Sequence, residues 1–336
     1  MTPNGDRKAV VFSVRWSWSA EARPVAFADT VRGVYHFLAD RKPGGLETRP
    51  PKPFRRAAWL REGSPLVSKV KAQDDIKSSV EKCLELLGGL GKAVQARDKV
   101  LVKPNFNSPD PYPGSTDLDF FRAILDLLLD AGAQVVVGES AGGIWRPTSN
   151  TVQKLGVPRM LQEMGIDFIA FDAGETDWVE VPIAGEFLHR VTVPRAAYEA
   201  DRLVYLPCMK THNLARFTLS LKLSMGLVHP GERRGFHMGH LEQKVAEINL
   251  FRQPDLIIMD GRKAFVSGGP AKGEEVDPGI IMASGDMVAI DLAALKVLQS
   301  YRADNRLAGD PISLPQIATA IDRELTAAGG AYELVE

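Results

Sequence analysis

The chain has 336 residues, 45% hydrophobic and 25% charged, and 41 Lys plus Arg against 42 Asp plus Glu leave a formal net charge of -1. That length supports a large core, in one big α/β domain or two smaller ones, and the charge balance excludes a global attraction for nucleic acid or an anionic membrane, so any basic site must be local. Cys83 and Cys208 are the only cysteines and form no C-x-x-C pair, which excludes a disulfide framework, a cysteine zinc finger or an iron–sulfur cluster built from cysteines of this chain and suits a reducing cytosol. The start carries no apolar run long enough for a signal peptide or a membrane helix, and charges interrupt the stretch after Arg55-Arg56 too soon for an export signal. The expectation is a cytoplasmic protein with neither membrane nor nucleic acid as partner.

Residues 1–64 read as an N-terminal extension: a strand at 9–14, a helix over 26–38, Trp16 and Trp18 alternating with serines, and a span rich in Pro, Gly and Arg from 41 to 65. The main domain is expected over 65–305. Ile76, Val80, Cys83, Leu84, Leu86 and Leu87 recur at helical spacing until Gly88-Gly89. A short strand at 100–102 exits through Lys103-Pro104-Asn105. Ser115, Thr116 or Asp117 caps the next helix, which buries Phe121, Ile124, Leu125, Leu128 and Leu129 and stops at Gly132. A strand at 135–137 completes a βαβ unit, which implies a right-handed crossover and a parallel sheet. A helix at 153–164, a strand at 168–171 and a polar, hairpin-like β insertion at 178–193 follow. Beyond it come a strand at 203–206, helices at 218–227 and 241–251, strands at 256–259 and 279–282, and a helix capped by Asp286 that carries Asp291. Residues 306–336 read as a helical tail packed on the main domain. The fold class is α/β, a mostly parallel sheet with helices on both faces.

The functional residues concentrate in DRLVYLPCMKTHNLARFTLSLKLSMG, residues 201–226. Its apolar strand empties after Pro207 into what reads as a loop, delivering Lys210, Thr211 and His212 to the carboxyl end of a parallel strand, where open α/β sheets bind ligands. Lys222 sits among Leu219, Leu221 and Leu223, where a lysine is costly unless paired or facing an anion. Lys210, His212 and Lys222 are therefore the centre of an anion site. Lys103 and Asn105 join it from a second strand exit, Glu139 and Ser140 from the Gly138–Gly142 turn, and Arg233, Arg234 and Asp260 from farther along the chain. Asp260 at a strand end orients a base or binds a cation, and an Asx turn before Gly261 accounts for it equally well. Asp291, among apolar neighbours, is a candidate partner for a buried lysine.

Two motifs invite sharper readings. Gly138-Glu139-Ser140-Ala141-Gly142 matches the G-x-S-x-G elbow, which needs a strand turning through the serine straight into a helix; Pro147 interrupts such a helix and no HGGG-type loop lies upstream. A Gly-rich turn approaching an anion is favoured over a serine nucleophile. His237 and His240 would share a helix face and supply half a metal site, but no H-E-x-x-H or dense carboxylate set accompanies them, so surface or capping roles are favoured. No standard nucleotide motif occurs.

In order, VLVKPN, the Thr116 helix, VVVGES, LPCMKTH, SLKLSMG, IIMDG and MASGDMVAIDLAA resemble the domain of unknown function 362 family over 65–300. The resemblance implies a fold more readily than a reaction. Many relatives carry a ferredoxin-like cysteine cluster, which this chain lacks. The order strand, His212, Lys222 in a Gly-containing segment is also similar to nickel-pincer lactate racemases, which implies His212 as acid/base or ligand and Lys222 as cofactor anchor. The expected function is an enzyme on a small carboxylate- or phosphate-bearing substrate, with Lys103, Lys210 and Lys222 holding charge and His212 transferring a proton. The alternatives are a serine hydrolase using Ser140 and a non-catalytic binder of an anionic metabolite or metal cofactor. The cofactor stays open, with a divalent metal one candidate, and a homo-oligomer is compatible with the sequence.

Overall fold

The computed structural model describes residue 35, residues 40–55 and residues 57–336. The strand expected at 9–14, Trp16, Trp18 and all but Tyr35 of the helix expected at 26–38 lie outside the described residues. Strands β1 (Glu47–Thr48), β2 (Leu60–Arg61) and β3 (Ser64–Lys71) precede helix α1 (Ile76–Leu86), which Asp75 caps by accepting from Ser78 N at 3.3 Å. Strand β4 (Lys99–Lys103), helix α2 (Leu118–Asp130) and strand β5 (Gln134–Glu139) form the βαβ unit, and Asp117 caps α2 through Phe120 N at 3.0 Å. The helix expected at 153–164 is two, α3 (Thr148–Lys154) and α4 (Val157–Met164), because Gly156 takes φ 79° between them. Strand β6 (Asp167–Ala170) follows, then β7 (Trp178–Pro182) and β8 (Arg190–Pro194), with β7 paired between β1 and β8 in a separate three-stranded sheet.

The chain continues through α5 (Arg195–Glu199), β9 (Arg202–Tyr205), β10 (Cys208–His212), β11 (Arg216–Thr218), α6 (Ser220–Leu223), α7 (Pro230–Phe236) and α8 (Leu241–Ile248). It ends with β12 (Leu256–Gly268), β13 (Gly273–Val276), β14 (Ile280–Ser284), α9 (Met287–Gln299), α10 (Pro315–Asp322) and β15 (Glu333–Val335). The last strand pairs in parallel with β3, so the stretch expected as a helical tail contributes strand as well as helix.

The main sheet runs β15-β3-β14-β12-β9-β4-β5-β6. From the start of β12 through β9, β4, β5 and β6 the pairings are parallel, and β14 runs antiparallel to β12 and β3. Alternation along the strands sets the layers. Val100, Val102, Val204 and Ile258 pack on one face with Val80 and Leu84 of α1 and Phe121 and Leu125 of α2. Leu101, Leu203, Ile257 and Met259 pack on the other with Ile290 and Leu295 of α9. Burial on both faces is why these strands read as unbroken apolar runs.

The chain builds outward from β4 through β5 to β6, then returns to place β9 on the opposite side of β4. Crossovers that diverge in this way leave a crevice beyond the carboxyl ends of the strands at the point of divergence. The crevice departs from the sequence expectation at two places. The residues after Pro207 are strand, not loop: β12 runs on past Asp260 to Gly268, and its extension gives β10 a parallel partner, Met209 opposite Ala264 and Lys210 opposite Phe265. The helix expected at 218–227 is instead the end of β11, the short α6 and a 3-10 turn over Ser224–Leu227.

Candidate functional site at the carboxyl edge of the sheet

Lys103 and Glu139 end the neighbouring parallel strands β4 and β5, so the sheet itself brings them together. Lys103 Nζ donates to Glu139 Oε2 at 2.7 Å and to the Pro104 carbonyl at 2.7 Å. Glu139 also accepts from Phe106 N at 2.9 Å and Ser140 N at 2.7 Å. The pair is closed off, with side-chain exposures of 1% and 2%. Burial lowers the Lys103 pKa, and the Glu139 charge opposes that shift. Gly226 forms the lid over the pair. A Cβ there would fall 2.5 Å from Glu139 Oε1 and 2.8 Å from Lys103 Nζ, so a larger residue would have to displace the ends of the paired side chains.

Strand β10 supplies the next two groups. Residues two apart in a strand share a face, and Lys210 and His212 both line the cavity while Thr211 turns away to donate to the Phe265 carbonyl at 3.2 Å. Lys210 Nζ donates to the Gly114 carbonyl at 2.5 Å, and burial lowers its pKa. His212 Nδ1 accepts from Leu214 N at 3.0 Å and Ala215 N at 3.1 Å. Burial, then the charges of Lys222 and Lys210, push its pKa down to about 2. His212 is thus a neutral imidazole whose proton sits on Nε2, because Nδ1 already faces two backbone donors.

Lys222 is positioned by α6, whose first N–H groups are held from α9. Asp291 accepts from Ser220 N at 2.8 Å, Ser220 Oγ at 2.6 Å and Leu221 N at 3.0 Å. Asp291 therefore anchors the helix that carries the lysine and is no lysine's partner. Burial and the neighbouring Lys210 and Arg233 charges push the Lys222 pKa down to about 8, and among the described residues no carboxylate pairs with it. Arg233, on α7, donates to the carbonyls of Val228 (2.9 Å), Ser140 (3.1 Å), Ala141 (3.0 Å) and Gly226 (3.2 Å). Burial pushes its pKa down to about 10, and it too has no carboxylate ion pair among the described residues.

These groups converge on one cavity of about 420 Å³. Of the residues singled out in the sequence, Lys103, Asn105, Glu139, Ser140, Lys210, His212, Lys222 and His237 line it. Thr211, Arg234, Asp260 and His240 do not. Asp260 is occupied by Arg262, by Tyr112 Oη at 2.7 Å and by the Arg262 backbone N at 3.1 Å, so it braces a strand end away from the cavity. Of the two arginines expected to hold an anion, Arg233 lines the cavity, while Arg234 turns to the Asp40 carbonyl at 3.4 Å. Arg146 and Trp145 line the cavity without having been singled out. Arg146, next to the Pro147 that interrupts a helix, is buried and ion-paired with Asp40. No pattern in the sequence marked it.

The sharper motif readings separate here. Ser140 Oγ is buried with no hydrogen-bond partner, and Ser140 N is taken by the Glu139 side chain. A serine nucleophile is activated by a base in contact with its hydroxyl, and among the described residues none is bonded to Ser140 Oγ. His237 and His240 do not share a helix face: α7 ends at Phe236, His240 takes φ 54° before α8, and its ring stacks on Phe187 at 4.3 Å. Among the described residues no group of three or more His, Cys, Asp and Glu could hold a metal ion, and His212 turns its protonated nitrogen to the cavity. The side chains here do not fit a resident divalent metal. A second cavity of about 190 Å³ lies at the opposite, amino-terminal edge of the sheet, near Arg202. Its buried cation Arg252 is engaged by the Ala200 carbonyl at 2.6 Å and by Asp255 at 3.2 Å.

The fold and site define an α/β protein with a cation-rich cavity at the carboxyl edge of a mainly parallel sheet. The chain belongs to the family described as Domain of unknown function (DUF362), whose profile matches residues 100–296, a span that contains every cavity residue named above. It is 27% identical over 253 residues to a thylakoid-associated protein of Synechocystis sp., covering 72% of this chain and 73% of that protein. Among solved structures it is similar to the lactate racemase apoprotein of Thermoanaerobacterium thermosaccharolyticum, at 15% identity and a TM-score of 0.39. That match covers 72% of this chain and 58% of the racemase, so the chain spans less than two thirds of the racemase's length. Among the described residues no helix is long and apolar enough to cross a membrane.

Proposed function

We propose that the protein is an enzyme that binds a small anion carrying carboxylate or phosphate groups and moves a proton within it. The reading rests on one observation above the others: Lys210, Lys222 and Arg233 face a single cavity without a carboxylate partner among the described residues. Clustered cations lose solvation and repel one another, and an anionic ligand supplies what the chain leaves out.

In this reading Lys210 and Arg233 hold the anion. Lys222, with a pKa near 8, is the acid/base group, since a base works best when its pKa lies close to the working pH. His212 acts as a neutral donor, aiming Nε2–H at an oxyanion as charge develops there. That revises the role expected from the sequence: a ring whose Nδ1 accepts two backbone N–H groups carries its proton on Nε2 and has no lone pair to offer a substrate. The substrate's acidic carbon lies beside its carboxylate or phosphate, where the cations stabilise the carbanion or enolate.

The test is deuterium exchange. A panel of small carboxylic acids and phosphate esters is incubated with the protein in D2O, and loss of C–H signal is followed by NMR. Exchange into at least one compound, lost in Lys222→Ala, is the expected result. Tight retention of an anion with no exchange in any compound would make the protein a binder and remove the catalytic reading.

A further inference from the structure

The cavity has two zones of unlike chemistry. Its cationic and polar groups lie deep: Lys103, Glu139, Lys210 and His212 are all buried. At its mouth three exposed side chains are apolar, Ile144 at 47%, Trp145 at 37% and Leu214 at 62%, beside the exposed ring of His237. Three of the nine exposed large hydrophobic side chains among the described residues therefore surround one opening, which is not how isolated surface apolar groups are scattered. They come from two separate places, the 3-10 turn Gly143–Trp145 after β5 and the turn between β10 and β11, so no single amphipathic element explains them. Leu223 and Met225 continue the apolar wall inward. The volume of about 420 Å³ falls within the rough 300–1,000 Å³ range of sites for larger organic ligands and exceeds what an anionic head group alone fills.

We propose that the ligand is amphiphilic: an anionic head seated on Lys210, Lys222 and Arg233, and an apolar or aromatic body lying along Leu223 and Met225 to Ile144, Trp145 and Leu214 at the mouth. This rests on the anion reading of the same cavity and adds the class of molecule. A short, fully polar diacid would leave the rim wetted and the mouth unfilled. A longer acid or phosphate ester buries its body against the rim while its charge reaches the floor.

Calorimetric titration of the full chain with two matched pairs tests it: malonate against benzylmalonate, and inorganic phosphate against phenyl phosphate. In at least one pair the aromatic member should bind about tenfold tighter or more, the order expected for one ring leaving water. Leu214→Ser and Trp145→Ala, both at exposed positions, should draw that ratio toward one. Equal affinities within both pairs would overturn the amphiphile and leave the anion site standing, as would a rim that seats another protein. A ratio untouched by both rim variants would overturn the rim's assignment. Failure of all four compounds to bind would overturn the proposal and the anion reading together.

Discussion

Lys222 and His212 divide the chemistry in a way that pH separates. As a base Lys222 must be neutral, so kcat/KM should rise with pH through about 8, its lowered pKa. His212, pushed to about 2, contributes no limb near neutrality. A profile with its ascending limb near the ordinary histidine value would return the proton-transfer role to His212. His212→Gln, which keeps an N–H donor, should retain more activity than His212→Ala; steady-state rates of the pair read this directly. The Lys103–Glu139 pair makes the stability argument. Glu139→Gln strands a buried ammonium, and urea unfolding at neutral pH should show a loss of about 3–5 kcal/mol. Adding Lys103→Met to Glu139→Gln should recover much of that loss, because the uncompensated charge goes with the lysine.

At the scale of elements, α6 is too short to hold itself, and its position depends on α9 through Asp291. Asp291→Ala leaves the N–H groups of Ser220 and Leu221 buried without acceptors, a cost of about 1–3 kcal/mol for each orphaned group at most. The variant should also lose anion affinity although Asp291 does not line the cavity; titration with phosphate alongside unfolding would show both effects. This link was invisible in the sequence, where Asp291 looked like a lysine's partner, because 71 residues separate it from Ser220. What was legible depended on local pattern: α1 and α2 on helical period and caps, β4 and β5 on short apolar runs, the Asp286 cap on its two contacts to Val288 N and Ala289 N. Strand β10 was not, since CMKTH has no apolar alternation and owes its extension to the far half of β12. Reading it as a loop let Thr211 count with Lys210 and His212, and only the pleat sends it the other way. Arg233 and Arg234 are adjacent and alike, so α7's orientation alone decides which reaches the cavity.

Across the whole molecule the notable fact is concentration: a chain of net charge -1 gathers Lys103, Lys210, Lys222, Arg146 and Arg233 around one cavity, with Glu139 the carboxylate in its lining. Such an arrangement costs folding free energy in the empty protein, as binding sites commonly do. The sign follows from linkage. Lys222 titrates near 8 when folded and near 10.5 when unfolded, so between those values the unfolded chain holds the extra proton and stability climbs with pH; below 8 the penalty is present in full. Lys222→Met should therefore raise the melting temperature of the ligand-free protein at pH 7 and flatten the difference from wild type as pH rises above 8. The same substitution should shrink the stabilisation that phosphate gives wild type, which grows with ligand concentration as RT ln(1 + [L]/Kd). Chloride at matched ionic strength separates that binding from general screening, which falls on every exposed charge alike. A wild type that phosphate does not stabilise beyond chloride, or a Lys222→Met variant no more stable than wild type when empty, would mean that the cations are already compensated and that the cavity was not shaped around a missing negative charge.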